Sequence, residues 1–257
     1  MTFRERVAAM PVGPGCVRTR MEDEIGVVQF DHPGARNALS PAMMLAFGEI
    51  VAGWKAAPPR AVVIGGLGPA FCAGGDLAAV QEHLLAPGSA GVMQAFMATA
   101  CNDLASLPSL IIAAVEGAAL GGGAELLTAC DLVYAAPSAR IGFIQAAMGV
   151  SPGFGGAARL VRQLGPRRAV DLLTRARPMD APEAHRLDLV DEVVEDPWGR
   201  ALARAREVAG LPASAAAAVK PMVRRVLLGD DGAEAEAFAA LWGGSEHVAA
   251  LTRFRRR

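Results

Sequence analysis

The chain has 257 residues, enough for one large domain, of which 53% are hydrophobic, 20% charged and 5% aromatic. That apolar content excludes a disordered chain. Four scattered cysteines exclude a disulfide scaffold and a CxxC zinc or redox motif, and a formal charge of −1 gives no broad basic field for nucleic acid. Small residues stand out instead: 29 glycines and many alanines require a core built on close backbone approaches.

Residues 1–16 read as a flexible lead-in, since Pro11, Gly13, Pro14 and Gly15 interrupt regular structure. The start lacks a secretory pattern. The apolar stretch Leu104 to Val115 falls short of the roughly 20 residues a membrane span needs. The expectation is a soluble protein of a reducing compartment, placed in the cytoplasm, with no membrane partner. Val17–Arg20 and Ile25–Phe30 read as a strand pair. Ser40 followed by Pro41 is a helix start, a side-chain cap and then a proline whose missing N–H costs nothing there, and the helix stops before Pro58–Pro59. AVVIGG (61–66) is a buried-type strand, followed by the glycine-rich turn GLGPAFCAGGDL and a helix. The same grammar repeats: a helix over Met93–Leu107, a strand over 109–117, a turn at Gly121–Gly122–Gly123 opening another helix, and a strand over 131–136. This alternation predicts an α/β fold with parallel pairings. Residues 155–175 read as helical with a break at Gly165–Pro166, and the segments 199–209, 214–228 and 233–250 as helices. The expected division is a core over 17–197 and a C-terminal helical oligomerisation module over 198–257.

Two strands thus end in glycine-rich turns that open helices, FCAGGDL (71–77) and ALGGGAEL (119–126). Glycine permits close backbone approach, and a helix N-terminus presents unpaired N–H groups. Two such turns face to face can aim two donors at one oxygen, an oxyanion hole suited to an enolate.

The runs AFCAGGDL, VEGAALGGGAELLTACDLVYAA and MGVSPGFGGAARL, with HPGARNALS (32–40) before them, resemble the crotonase (enoyl-CoA hydratase/isomerase) superfamily over about residues 20–257. The resemblance implies a spiral of repeated ββα units with a C-terminal helical module, homotrimers or dimers of trimers, and an acyl-CoA thioester substrate, with coenzyme A entering as part of the substrate and no separate cofactor or metal. Carried onto this chain, it makes the N–H groups of Ala73 and Gly122 the oxyanion donors and lays Ala73, Gly74, Gly75 and Asp76 along the thioester. Arg36, by its place in HPGARN, becomes a contact for coenzyme A.

Hydratases of the superfamily carry two glutamates. The first position is Glu125, but counting back four residues from Gly149 gives Gln145, which exchanges no proton near neutral pH. Decarboxylation of a malonyl-type thioester makes the enolate without removing a C–H proton. GGGAELLTACD, FIQAAMG and ALWGGSEHVAAL (240–251) also resemble the ethylmalonyl-CoA decarboxylase branch. The expected activity is decarboxylation of a short alkylmalonyl-CoA, a lyase reaction, with Glu125 as acid/base or polar partner and Gln145 on the leaving carboxylate or a water. Hydration or isomerisation on Glu125 alone stays open, as does a non-catalytic binding subunit. GVSPG (149–153) also fits a serine nucleophile elbow, with Asp171 and His185 in order, but Pro152 lacks the N–H that such an elbow needs. Gly153, Gly155 and Ala158 fit a dinucleotide fingerprint, weak on its own. The four histidines show no metal-ligand spacing. His32 is the one near a motif, and the basic tail RFRRR (253–257) is a solvated end or a contact for phosphates.

Overall fold

The computed structural model describes residues 1–11, 13–85 and 87–255. It begins with a helix, α1 (Phe3–Ala8), where the sequence suggests a flexible lead-in. Thr2 and Glu5 form a reciprocal capping box, Phe3 stacks on Phe96 at 4.8 Å, and Arg6 donates to Ser89 Oγ at 2.9 Å. The capping box and one buried aromatic fix this turn ahead of the Pro/Gly run.

β1 (Cys16–Glu22) and β2 (Ile25–Asp31) form the expected hairpin. After α2 (Pro41–Ala56), capped by Ser40 as expected, come β3 (Ala61–Gly66), α3 (Leu77–Ala79) continued by a π-helical turn over 80–84, α4 (Ser89–Ser106) and β4 (Leu110–Val115). The expected strand over 109–117 ends at Val115, since Gly117 takes a positive φ, and a separate short strand, β5 (Ala118–Leu120), departs from the sheet. There follow α5 (Gly122–Leu127), β6 (Leu132–Ala135), β7 (Arg140–Gly142), α6 (Gly156–Arg175), β8 (Met179–Asp180), α7 (Ala181–Arg186) and β9 (Glu192–Val193). α6 breaks at Gly165 (φ 78°, ψ 163°) before Pro166, as the sequence suggests.

The main sheet has the order β1-β2-β3-β4-β6-β9, parallel apart from the β1–β2 hairpin, and β5-β7-β8 form a second, smaller sheet. The parallel strands are apolar on both faces, as strands covered on both sides must be. One face, with Val28, Val62, Ile64, Ile111 and Ala113, meets the core under α2 and α4. The other, with Val27, Val63 and Ile112, meets Ala201 and Ala205 of α8 (Pro197–Ala209).

α8 therefore belongs with the core. The helices that stand apart are α9 (Ala213–Leu227), α10 (Ala233–Leu241) and α11 (Ser245–Phe254). The expected boundary at 198 moves to about 210, since the alanine face of α8 is buried on the sheet. α9 is tied back by Lys220, whose Nζ lies 2.6 Å from the Asp131 carboxylate and 3.1 Å from the Ser109 carbonyl. Glu246 of α11 accepts from Ala213 and Ser214 N–H at 3.0 and 2.9 Å, satisfying the start of α9. Among the described residues no helix is long and apolar enough to cross a membrane.

Candidate active site

The two glycine-rich turns lie side by side because the strands feeding them pair. Cys72 N–H donates to Ala118 O (2.9 Å) and Leu120 N–H to Cys72 O (3.0 Å), forming a parallel bridge between Cys72 and Ala119. The approach is close: a Cβ on Gly123 would stand 2.0 Å from Cys72 O, and one on Gly74, whose φ is +99°, would stand 2.9 Å from Leu120 O and 3.3 Å from Gly122 N. No larger residue fits at either position, which gives part of the glycine excess a local cause.

On its other side the 72–76 turn is held by the HPGARNALS segment. Leu39 N–H donates to Gly74 O (2.7 Å) and Asp76 N–H to Leu39 O (2.9 Å). Asn37, fully buried, accepts from His32 N–H at 2.7 Å and donates to the carbonyls of Leu67 and Ala70 at 3.0 and 2.6 Å. It clamps the two loops together. The motif contains Asn37, but sequence reasoning assigned it no role.

These pairings correct one expectation. Ala73 N–H donates to Arg36 O at 3.0 Å, so it is not free to face a thioester. In a parallel bridge the residue whose neighbours bond the partner turns its own N–H the opposite way. Gly75 holds that place opposite Leu39, so its N–H points away from Leu39. Gly75 N–H has no acceptor among the described residues, nor does that of Gly122, the first residue of α5, where no intrahelical acceptor exists. Gly74 N–H also has no acceptor among the described residues, so the 73–76 turn offers the N–H groups of Gly74 and Gly75, and α5 that of Gly122. Arg36 is exposed in a left-handed backbone conformation (φ 52°), and its carbonyl rather than its side chain meets the turn. Asp76 caps α3, accepting from Ala78 and Ala79 N–H, and lies 4.0 Å from His32 Nδ1.

Glu125 occupies the first turn of α5 and is 1% exposed. Its Oε1 accepts from Gln145 Nε2 (2.7 Å) and Gly153 N–H (3.0 Å), and its Oε2 from Phe154 and Gly156 N–H (2.8 Å each). Three of these donors come from the start of α6 and the turn before it, a helix N-terminus of the kind that binds anions, here filled by a side chain of the protein. The four donors use all four lone-pair sites of a carboxylate.

Arg159, 4% exposed, is a second buried charged residue beside it. Its guanidinium donates to Thr128 Oγ1 (3.0 Å), Asn102 Oδ1 (2.9 Å), Phe154 O (2.8 Å) and Glu125 O (3.2 Å). Sequence reasoning missed Arg159. The available signal was a charged residue three positions after Gly156 on the apolar side of α6. Gln145 is 7% exposed; its Nε2 goes to Glu125, while its Oε1 is buried without a partner among the described residues. The structure thus brings together Gly74, Gly75, Gly122, Glu125 and Gln145, and places Arg36 and Asp76 on the flank of the same turn.

The other motifs resolve into ordinary contacts. Ser151 is exposed, Asp171 pairs with Arg175 at 2.7 Å, and His185 Nδ1 lies 2.8 Å from Val190 O, so Asp171 and His185 are engaged elsewhere. The Gly153–Gly156 turn gives the N–H groups of Gly153, Phe154 and Gly156 to Glu125 rather than to a pyrophosphate. Of RFRRR, Arg253 to Arg255 are exposed, while residues 256 and 257 lie outside the described residues.

Residues 20–240 match the family model described as enoyl-CoA hydratase/isomerase. The chain belongs to that family. It is 38% identical to the ethylmalonyl-CoA decarboxylase of Danio rerio, over 97% of this chain and 86% of the relative. It is 36% identical to a protein of Mycobacterium bovis named "Probable enoyl-CoA hydratase echA8", over 79% of each. In structure it is similar to an enoyl-CoA hydratase from Polaromonas sp. JS666, with a TM-score of 0.84 at 29% identity, covering 93% and 96% of the two chains. The expected α/β crotonase-like architecture is the one observed. The cysteines take no visible part in the site: burial pushes the thiols of Cys72 and Cys101 up to about 12, which leaves them protonated and inert.

Proposed function

We propose that this protein decarboxylates a short 2-alkylmalonyl-CoA, holding the thioester oxygen between Gly75 N–H and Gly122 N–H. One observation carries the reading: Glu125 has no free lone pair. A carboxylate that accepts four donors cannot take an α-proton or activate water without first releasing one of them. Hydration and isomerisation both require such a step. Decarboxylation does not. The bond from Cα to the carboxylate breaks, its electron pair moves into the enolate, and two backbone donors stabilise the oxygen that gains charge. Similarity to ethylmalonyl-CoA decarboxylases of several vertebrates, at 31–38% identity, supports the same substrate class.

In this reading Gly74 and Asp76 shape the turn along the thioester, Arg36 meets the coenzyme A portion from the exposed flank, and Glu125 is a fixed anion rather than an acid/base. The apolar surface of α9 to α11, with Leu227, Leu228, Phe238, Trp242 and Leu251 each more than half exposed, is the contact for a homotrimer or a dimer of trimers. The test is incubation of the pure protein with ethylmalonyl-CoA and methylmalonyl-CoA. Release of CO₂ with formation of the corresponding saturated acyl-CoA is expected. Hydration of crotonyl-CoA with no CO₂ from either malonyl thioester would overturn the reading.

A further inference from the structure

We infer that Phe154 limits the length of the 2-alkyl group this site accepts, its ring standing as a rigid wall beside the Gly122 donor. The inference rests on the decarboxylase reading and deepens it, since it concerns which alkylmalonyl thioesters are turned over.

The side chains around the glycine turns show what an acyl group bound there would meet. A Cβ on Gly75 would lie 3.7 Å from Met44 Cε and 3.8 Å from Val80 Cγ2, and one on Gly121 would lie 3.7 Å from Ile144 Cγ1. One on Gly122 would lie only 2.5 Å from Phe154 Cε2 and 3.0 Å from its Cδ2 and Cζ. All four neighbours are apolar, and none offers a donor or a charge. Such walls suit an alkyl group.

The Phe154 ring is the nearest of them to a donor. A bond of about 1.5 Å separates the Cβ position from Gly122 Cα, so the ring edge lies within about 4 Å of that Cα, in van der Waals contact. An oxygen bound by Gly122 N–H stands about 3 Å from the nitrogen. Ring and thioester thus have the same residue as their neighbour.

Phe154 is also the wall least able to yield. Its N–H donates to Glu125 Oε2 at 2.8 Å, and its carbonyl accepts from Arg159 Nη2 at 2.8 Å. Both polar atoms of its backbone are therefore tied to buried charged side chains, and the residue itself is 4% exposed. Val80, by contrast, opens the π-helical turn after the three-residue α3, and Met44 is unbranched and adaptable. An alkyl chain can push those aside, but against Phe154 it stops.

Decarboxylation of methylmalonyl-, ethylmalonyl- and butylmalonyl-CoA by wild type, Phe154→Leu and Phe154→Ala tests this. The readout is the ratio of kcat/KM between two substrates on one preparation, which the fraction of folded enzyme does not affect. One methylene in a hydrophobic pocket is worth about 10–200-fold, so wild type should prefer ethylmalonyl-CoA to butylmalonyl-CoA by about a hundredfold or more. Phe154→Ala should move that ratio at least about tenfold towards the butyl substrate, and Phe154→Leu should move it less. Phe3→Leu, which removes a different buried ring, should leave the ratio within about twofold of wild type. A role for Phe154 in packing alone would lower kcat/KM for every substrate alike. A butyl-to-ethyl ratio unchanged in both Phe154 variants, or a wild type that turns over the butyl and ethyl substrates equally well, overturns the inference while leaving the decarboxylase reading intact. No CO₂ from any of the three thioesters with wild type removes both.

Discussion

Glu125→Gln separates a fixed anion from a proton shuttle, because the two roles give opposite stability outcomes. The substitution keeps the side-chain shape and replaces one carboxylate oxygen with an NH₂ group. That group faces two donors head-on, either Phe154 and Gly156 N–H or Gln145 Nε2 and Gly153 N–H. Two buried donors lose their acceptor at about 1–3 kcal/mol each, so the cost is about 2–6 kcal/mol. For a chain of this size about 2–4 °C of Tm is lost per kcal/mol, giving a drop of roughly 4–24 °C. Thermal and urea unfolding followed by circular dichroism, at one fixed protein concentration because association shifts Tm, provides the measurement. A Glu125→Gln protein that melts within a degree or two of wild type yet loses turnover by a hundredfold or more would refute the argument, since it would show a lightly held carboxylate whose role is proton transfer.

Three further outcomes are expected. Arg159→Met removes a buried guanidinium with four acceptors and should destabilise by at least about 1–3 kcal/mol, the cost of a buried acceptor left without its donor; a urea midpoint unchanged from wild type would count against Arg159 as the tie between these segments. Burial raises the thiols of Cys72, Cys101 and Cys130 while Cys16 is exposed, so a chromogenic disulfide reagent at pH 8 should titrate one thiol in the native protein and four after denaturation. Gln145→Glu places a second carboxylate within hydrogen-bond distance of Glu125, where two like charges cannot both ionise. The pair should then retain a proton, and crotonyl-CoA hydration, followed by loss of the conjugated thioester absorbance, should rise above the wild-type level with a bell-shaped pH profile.

The long periodic elements were legible in the sequence. Ser40–Pro41 starts α2, AVVIGG is β3, and Gly165–Pro166 breaks α6, each for the local reason its residues suggest. What escaped was short or set by distant contacts. β7, β8 and β9 have two or three residues each, too few for a two-residue period to register, and they form by pairing with neighbours remote in sequence. α1 was hidden by the Pro/Gly run that follows it, although Thr2 and Glu5 already spelled a capping box. α8 reads as one more C-terminal helix until its alanines are seen facing Val63 and Ile112 across the sheet.

The site divides along the same line, between which residues are present and what their polar atoms are already bonded to. The two glycine turns, Glu125 and Gln145 could be found from motif spacing alone. That Ala73 N–H is spent could not, because its acceptor is a carbonyl 37 residues earlier in the chain, and shifting the free donor from Ala73 to Gly75 depends on which side of the bridge each N–H faces. The state of Glu125 is likewise decided from outside its own helix. A carboxylate at the first turn of a helix has an ordinary electrostatic explanation and an ordinary catalytic one, and both leave lone pairs to spare. Donors from residues 145, 153, 154 and 156 remove that spare capacity. Glu125 takes the side-chain N–H of Gln145, and the carbonyl that remains is buried with no partner among the described residues. The departure from the two-glutamate pattern is therefore an amide at 145 bonded to a glutamate that already accepts from three backbone N–H groups, and it is on this arrangement that the proposal of decarboxylation rests.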